Sequence, residues 1–173
     1  MQGMPNDPPA IMLDELTGAM RQDDMGVILD YYNDFVPGAR QAFDRFAEMS
    51  CDDDYLYEMY EDGRLSPYSC MLLHAAEYGA TLIATWLIAD KGADMLVRNR
   101  DGADALFISS LEGKIAFVRT LLGLYEMKHG HSMAVDYDPD QLFELYQMLE
   151  ERPNGDAIVQ VLQAHGFPEE DED

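Results

Sequence analysis

The chain has 173 residues, 34 of them Asp or Glu against 11 Lys or Arg, a formal net charge of −23. Its length suits one domain, and a 47% hydrophobic content is that of a folded globule, not a disordered chain. So acidic a chain is a poor binder of phosphate backbones or anionic membrane surfaces, which are met by Lys and Arg. Neither nucleic acid nor membrane is expected as a direct partner, and a charged macromolecular partner should be basic.

No apolar run approaches the roughly 20 residues that cross a bilayer. Residues 1–9 lack the basic and apolar regions of a secretory signal, which predicts a cytoplasmic protein. The two cysteines, Cys51 and Cys70, read as buried or half-buried thiols in a reducing compartment, although one bridge is arithmetically possible. They are too few soft ligands for a metal site. The charge is uneven: residues 1–66 balance at −11, 67–130 at −1 and 131–173 at −11.

Helical periodicity dominates the chain from its start. Leu13, Leu16, Ala19 and Met20 share one face at spacings of three and four, and Val27, Ile28, Tyr31, Tyr32 and Phe35 repeat the pattern. Pro37-Gly38 then breaks the chain. Ala42, Phe43, Phe46, Ala47 and Met49 predict a third helix. Residues 51–62 predict a fourth, with Asp52 or Asp53 as N-cap and Gly63 closing it. Apolar segments follow at 70–76, 82–89, 105–111, 115–125, 141–149 and 157–164, separated by Gly, Pro or Asp signals. The expected fold class is all-α, built from antiparallel helix pairs joined by short loops. Residues 11–167 should form the domain. Disorder is expected over 1–10 and over the acidic tail, 168–173, whose carboxylates repel one another.

Two segments repeat. Residues 72–79 (LLHAAEYG) and 106–113 (LFISSLEG) lie 34 apart, and 82–88 aligns with 116–122 at the same offset. Gly92-Ala93-Asp94 and Asp101-Gly102 fall between them. These residues resemble the ankyrin repeat, whose period is about 33. Ala75-Ala76, Gly79, Leu87, Gly113 and the Gly-Ala-Asp triplet match that family's pattern. Cys70-Met71 and Asp104-Ala105 stand where it has Thr-Pro, and Leu73 and Phe107 where it has His. Small residues let paired helices approach, glycines take the positive-φ turn positions, and each pair leaves an apolar face that a neighbouring unit covers.

The resemblance is strongest over 70–122 and implies about four irregular helix pairs. Residues 13–32 would be an N-terminal capping unit with Asp23 in the inter-helix glycine position. Residues 154–162 would be a last second helix. Gly155 lies 42 residues after Gly113, so a unit near the family period leaves about nine residues over. That excess predicts a long loop over 123–140.

No nucleophile elbow, phosphate-binding loop, dinucleotide fingerprint or zinc-protease motif is present, and no catalytic residue, cofactor or metal is expected. His129-x-His131 reads as a pair of solvated loop histidines. Asp136-x-Asp138-x-Asp140 starts like a calcium loop but has Gln141 at position six and Gln147 at position twelve. Helix capping near Pro139 explains Asp138 or Asp140 better. Ser109-Ser110 should pack, not react.

The residues that point to a function are on the surface. Asp52, Asp53, Asp54, Glu58 and Glu61 accompany Tyr57 on the fourth helix, and Asp30, Tyr32 and Asp34 repeat the mixture. Tyrosines anchor protein contacts, and carboxylates meet Lys and Arg. The plain alternative is a solvated acidic face over buried tyrosines. Arg98 and Arg100 mark the 98–102 hairpin tip, where ankyrin arrays bind proteins. The expected function is therefore protein binding by an acidic inhibitor of the immunity or antitoxin type. It would capture a basic protein such as a nuclease or toxin, in the sharpest form by imitating nucleic-acid charge. The alternative is an ankyrin-type adaptor whose acidity serves only solubility. Either would be monomeric or dimeric.

Overall fold

The computed structural model describes residues 7–170. Ten α-helices and one short 3-10 turn form there, and among these residues there is no strand, so the chain is all-α. The helices are α1 (Ala10–Gln22), α2 (Met25–Tyr32), α3 (Ala39–Met49), α4 (Asp54–Glu61) and α5 (Pro67–Tyr78), then α6 (Thr81–Ala89), α7 (Ala105–Leu111), α8 (Ile115–His129), α9 (Pro139–Leu149) and α10 (Gly155–Ala164).

Side-chain caps set many of the starts. Asp24, Asp53, Ser66, Asp104 and Asp138 each accept a hydrogen bond from a backbone N–H of the first turn they precede, at 2.7–3.3 Å. Such a cap contributes about 1 kcal/mol. Pro67 and Pro139 add a pre-set φ at the first helical position.

Three boundaries differ from the sequence expectation. Ser66-Pro67 starts α5 a turn before residue 70, so Cys70-Met71 lie inside the helix instead of at its entrance. α8 continues to His129, held by buried Tyr125, so the expected 123–140 loop shrinks to 130–138. His129 therefore closes a helix and is not a loop residue. α2 stops at Tyr32, and Phe35 projects into solvent from a turn in which Asp34 has φ 59°. Of the expected disordered ends, 1–6 and 171–173 lie outside the described residues. Ala10 opens α1, and the Pro168 carbonyl accepts the Tyr146 hydroxyl at 2.6 Å.

Helices pack in two successions. α1, α5, α7 and α9 each touch the next, and so do α2, α6, α8 and α10, while α1·α2, α5·α6, α7·α8 and α9·α10 touch as pairs. Ala75, Ala76, Ser109 and Ser110 are buried, as close helix approach requires. Asp23, Gly79 and Gly113 all take left-handed conformations between the helices of their pairs. Each also meets the following pair: the Asp23 carboxylate accepts from Leu82 N at 2.9 Å and Ile83 N at 3.0 Å, Lys114 lies over Gly79, and Asn154 lies over Gly113. α3 packs on α1, α2 and α5, outside this scheme.

Cys51 and Cys70 are joined in a disulfide, which corrects the expectation of two unpaired thiols. Read along the chain they belong to separate helices. Packing of α3 on α5 brings their Cα atoms to 5.2 Å, within the span a disulfide bridges. The cytoplasmic expectation leaned partly on those thiols and loses that support. No described helix is long and apolar enough to cross a membrane.

Candidate partner-binding surface

Helix α4 is a peripheral element, and its ties to the rest of the fold lie along one side and at its start. Leu56 is its buried residue, the disulfide ties the segment just before it to α5, and Asp53 joins it to the 98–103 hairpin. Asp53 uses one carboxylate oxygen to cap α4 through Leu56 N at 2.7 Å and the other to accept Arg100 N at 2.9 Å. Two expected surface residues are thereby brought together, the arginine through its backbone only. Asp52 pairs with His74 at 3.2 Å.

Met59 and Tyr60 are half-buried against the core, and the opposite side of α4 faces water. Asp54, Glu58 and Glu61 are exposed, and among the described residues none of them is in an ion pair. Tyr57 is 41% exposed and Tyr55, not singled out from the sequence, 49%. The Glu61 carboxylate, hydrogen-bonded to the Tyr57 hydroxyl, raises that phenol above its ordinary value. Tyr57 stands 6.3 Å from the Tyr60 ring.

The second expected patch is divided. Asp30 is exposed on α2. Asp34 accepts Arg40 N at 3.0 Å and so helps cap α3. Tyr32 is the centre of an internal cluster: the Arg40 guanidinium lies 4.1 Å and the Lys91 ammonium 3.9 Å from its ring centroid, and Phe43 and Trp86 meet it edge-on. The Lys91 ammonium also donates to its hydroxyl, which lowers the phenol's pKa. Tyr32 is thus a structural hub.

Arg98 is also engaged, pairing with Asp138 at 3.2 Å beside buried Asp104. Asp104 accepts from Phe107 N at 2.9 Å and from the Tyr137 hydroxyl at 3.1 Å. Burial nevertheless lifts its carboxyl from 3.8 to about 6, against those bonds. Because the folded-state value lies above the unfolded one, the stability this group contributes is full below its unfolded pKa. It is lost as pH rises through the folded pKa. We expect the unfolding free energy to fall by about 2 kcal/mol between about pH 4.5 and about pH 7 from this group. Asp104→Asn keeps an acceptor for Phe107 N and should remove that slope in urea titrations at the two pH values. Equal slopes in both proteins would assign the effect to overall charge instead.

A groove between α1, α2 and the 34–39 turn is the feature sequence reasoning missed, although Asp30 lies on it. It encloses about 630 Å³. Its signal was present in α1, where Ile11, Glu15, Gly18 and Gln22 recur at intervals of four, three and four beside the stripe that faces the core.

The loop motifs serve structure. Asp136 accepts from the Tyr125 hydroxyl and pairs with His131 at 2.7 Å, His129 stacks on Tyr125 at 4.1 Å, and Asp138 caps α9. Among the described residues no group of three or more His, Cys, Asp or Glu side chains is arranged to hold a metal ion. No protein-family model, curated protein or solved structure matches the chain.

Proposed function

We propose that this chain is a protein-binding module of ankyrin type that captures a basic protein, acting as an inhibitor of the immunity or antitoxin kind. The repeat reading is supported by the two helix successions and by the left-handed Asp23, Gly79 and Gly113 at one position of three successive pairs. α3 and α4 would be an insertion between the first pair and the second. The observation that carries the function is α4: exposed Asp54, Glu58 and Glu61, without a basic partner among the described residues, set beside exposed Tyr55 and Tyr57. Carboxylates left unneutralised on a helix fixed at its N-terminal end give a field that speeds encounter with a basic surface, and the tyrosines supply contact area once docked.

The test begins with capture of the partner from the native source at low and high salt. A basic partner, lost as salt rises, is expected. With that partner purified, Asp54→Lys/Glu58→Lys/Glu61→Lys should slow association by about tenfold or more at low salt and change dissociation less. A neutral or acidic partner held equally at high salt would overturn the inhibitor reading. It would favour an adaptor instead, a role consistent with the use of Asp23, Asp34, Asp53, Asp104 and Asp138 as internal caps and braces.

A further inference from the structure

We propose that the groove between α1, α2 and the 34–39 turn docks a basic amphipathic helix. This rests on the chain's being a binder of basic proteins and adds what part of the partner is recognised, at a place apart from α4. The walls are apolar and uncovered: Ile11 is 71% exposed and Val36 53%, with Met12 and Val27 half-buried between them. At the middle of α1, a Cβ on Gly18 would meet nothing within 4 Å. Glycine costs a helix interior about 1 kcal/mol relative to alanine, and among the described residues no contact uses the space it leaves.

The rim is anionic. Glu15, Asp24 and Asp30 line the groove, and no Lys or Arg does. Two of these carboxylates are fixed in place, Glu15 by the Tyr31 hydroxyl and Asp24 by capping Val27 N. Burial and that bond to Glu15 push the Tyr31 phenol up to about 12, so the hydroxyl stays a donor throughout the physiological range. A slot between two helices with an apolar floor takes the ridge of a third helix, read as anchors at i, i+3, i+4 and i+7. Carboxylates along its edge match Lys and Arg flanking that ridge. A second copy of the chain would bring the same anionic rim against itself, a like-charge arrangement that is costly. Residues 1–6 contain no Lys or Arg to match it.

The test titrates the full chain, followed by amide NMR, with a designed Leu/Lys peptide whose leucines fall at helical spacing. The comparison peptide has the same composition in an order that forms no apolar face. Shifts should map to α1 and α2, and the comparison peptide should bind about tenfold more weakly. Gly18→Leu puts a side chain into the slot from a position where its Cβ meets nothing within 4 Å. It should keep or raise the Tm while weakening the amphipathic peptide by about tenfold or more.

Ile11→Asp is the sharper variant, since the position is exposed and folding is not at stake. It should weaken binding if the apolar wall matters. Tighter binding would mean that charge alone is read, and overturns the proposal. Equal binding of the two peptides, or no effect of Gly18→Leu, overturns it too. Shifts confined to α4 would sink the groove and leave the α4 reading standing, which the on-rates of its triple variant judge separately. Self-association without peptide that Gly18→Leu abolishes would put a second copy in the groove. Peptide affinity that rises when residues 1–6 are removed would put that segment there.

Discussion

Gly155→Ala is expected to destabilise the protein by more than about 3 kcal/mol, whereas Gly123→Ala should stabilise it by up to about 1 kcal/mol. Both are helical glycines, and the difference lies in what a methyl group would meet. A Cβ at 155 would overlap the Leu149 carbonyl oxygen and stand 2.8 Å from its carbonyl carbon. Those atoms are backbone and cannot rotate aside. Leu149 is buried at the end of α9, and its carbonyl accepts Arg152 N at 3.0 Å in the turn that leads to α10. Making room therefore requires α9 or α10 to shift, and with it the packing of α10 on α7, α8 and α9. At 123, in the middle of α8, a Cβ meets nothing within 4 Å, so only the gain in helix propensity remains. Urea midpoints of the two variants at one pH check the pair. A loss below about 1 kcal/mol at 155 would mean that the α9–α10 turn is looser than the close approach at Gly155 requires.

Gly155 also shows where reading the sequence stops. Aligned with Gly79 and Gly113, it looks like a third inter-helix glycine needed for positive φ. In the structure it is the first residue of α10, and a close backbone approach explains it instead. Composition alone does not separate these two uses of glycine. Asp23 is the converse case: a non-glycine residue whose position in the pattern predicts a turn, and which takes φ 53° there.

Helix positions were legible because spacing, caps and breakers are local. That Asp52 or Asp53 caps α4 followed from their place at the start of the 51–62 segment, and Asp53 is the one that does. That its second oxygen would hold Arg100, 47 residues away, did not follow, because nothing local encodes which hairpin an inserted helix will touch. Tyr32 read as a surface anchor because its neighbours are polar. The cations that enclose it, Arg40 and Lys91, arrive from α3 and from the end of α6. The groove was missed because the stripe of Leu13, Leu16 and Met20 accounts for α1 by itself, and the second stripe gains meaning only once α2 and Val36 stand opposite it.

The disulfide belongs to the same class of long-range pairing, and its removal carries the second large effect expected here. Cys51→Ser/Cys70→Ser should lower the unfolding free energy by about 3 kcal/mol, the loop-closure entropy restored to an unfolded chain that was cross-linked 19 residues apart. Wild type in reductant should match the double variant in urea, and a thiol assay of the native protein without reductant should find no free cysteine. Indistinguishable curves with and without reductant would mean that the pairing contributes nothing.

The loop it closes contains α4, whose other attachments are Leu56, the half-buried Met59 and Tyr60, the Asp53–Arg100 bond and the Asp52–His74 pair. Losing the covalent tie should therefore raise amide exchange over 52–66 well before it does so in α7 or α8. Protein so altered keeps every carboxylate of α4 but no longer fixes where they stand. Long-range attraction depends on the charges and a tight contact depends on their placement. For a partner bound at α4, reduction should thus leave the salt-dependent on-rate nearly unchanged and quicken dissociation, the opposite of what charge reversal on the same helix should do.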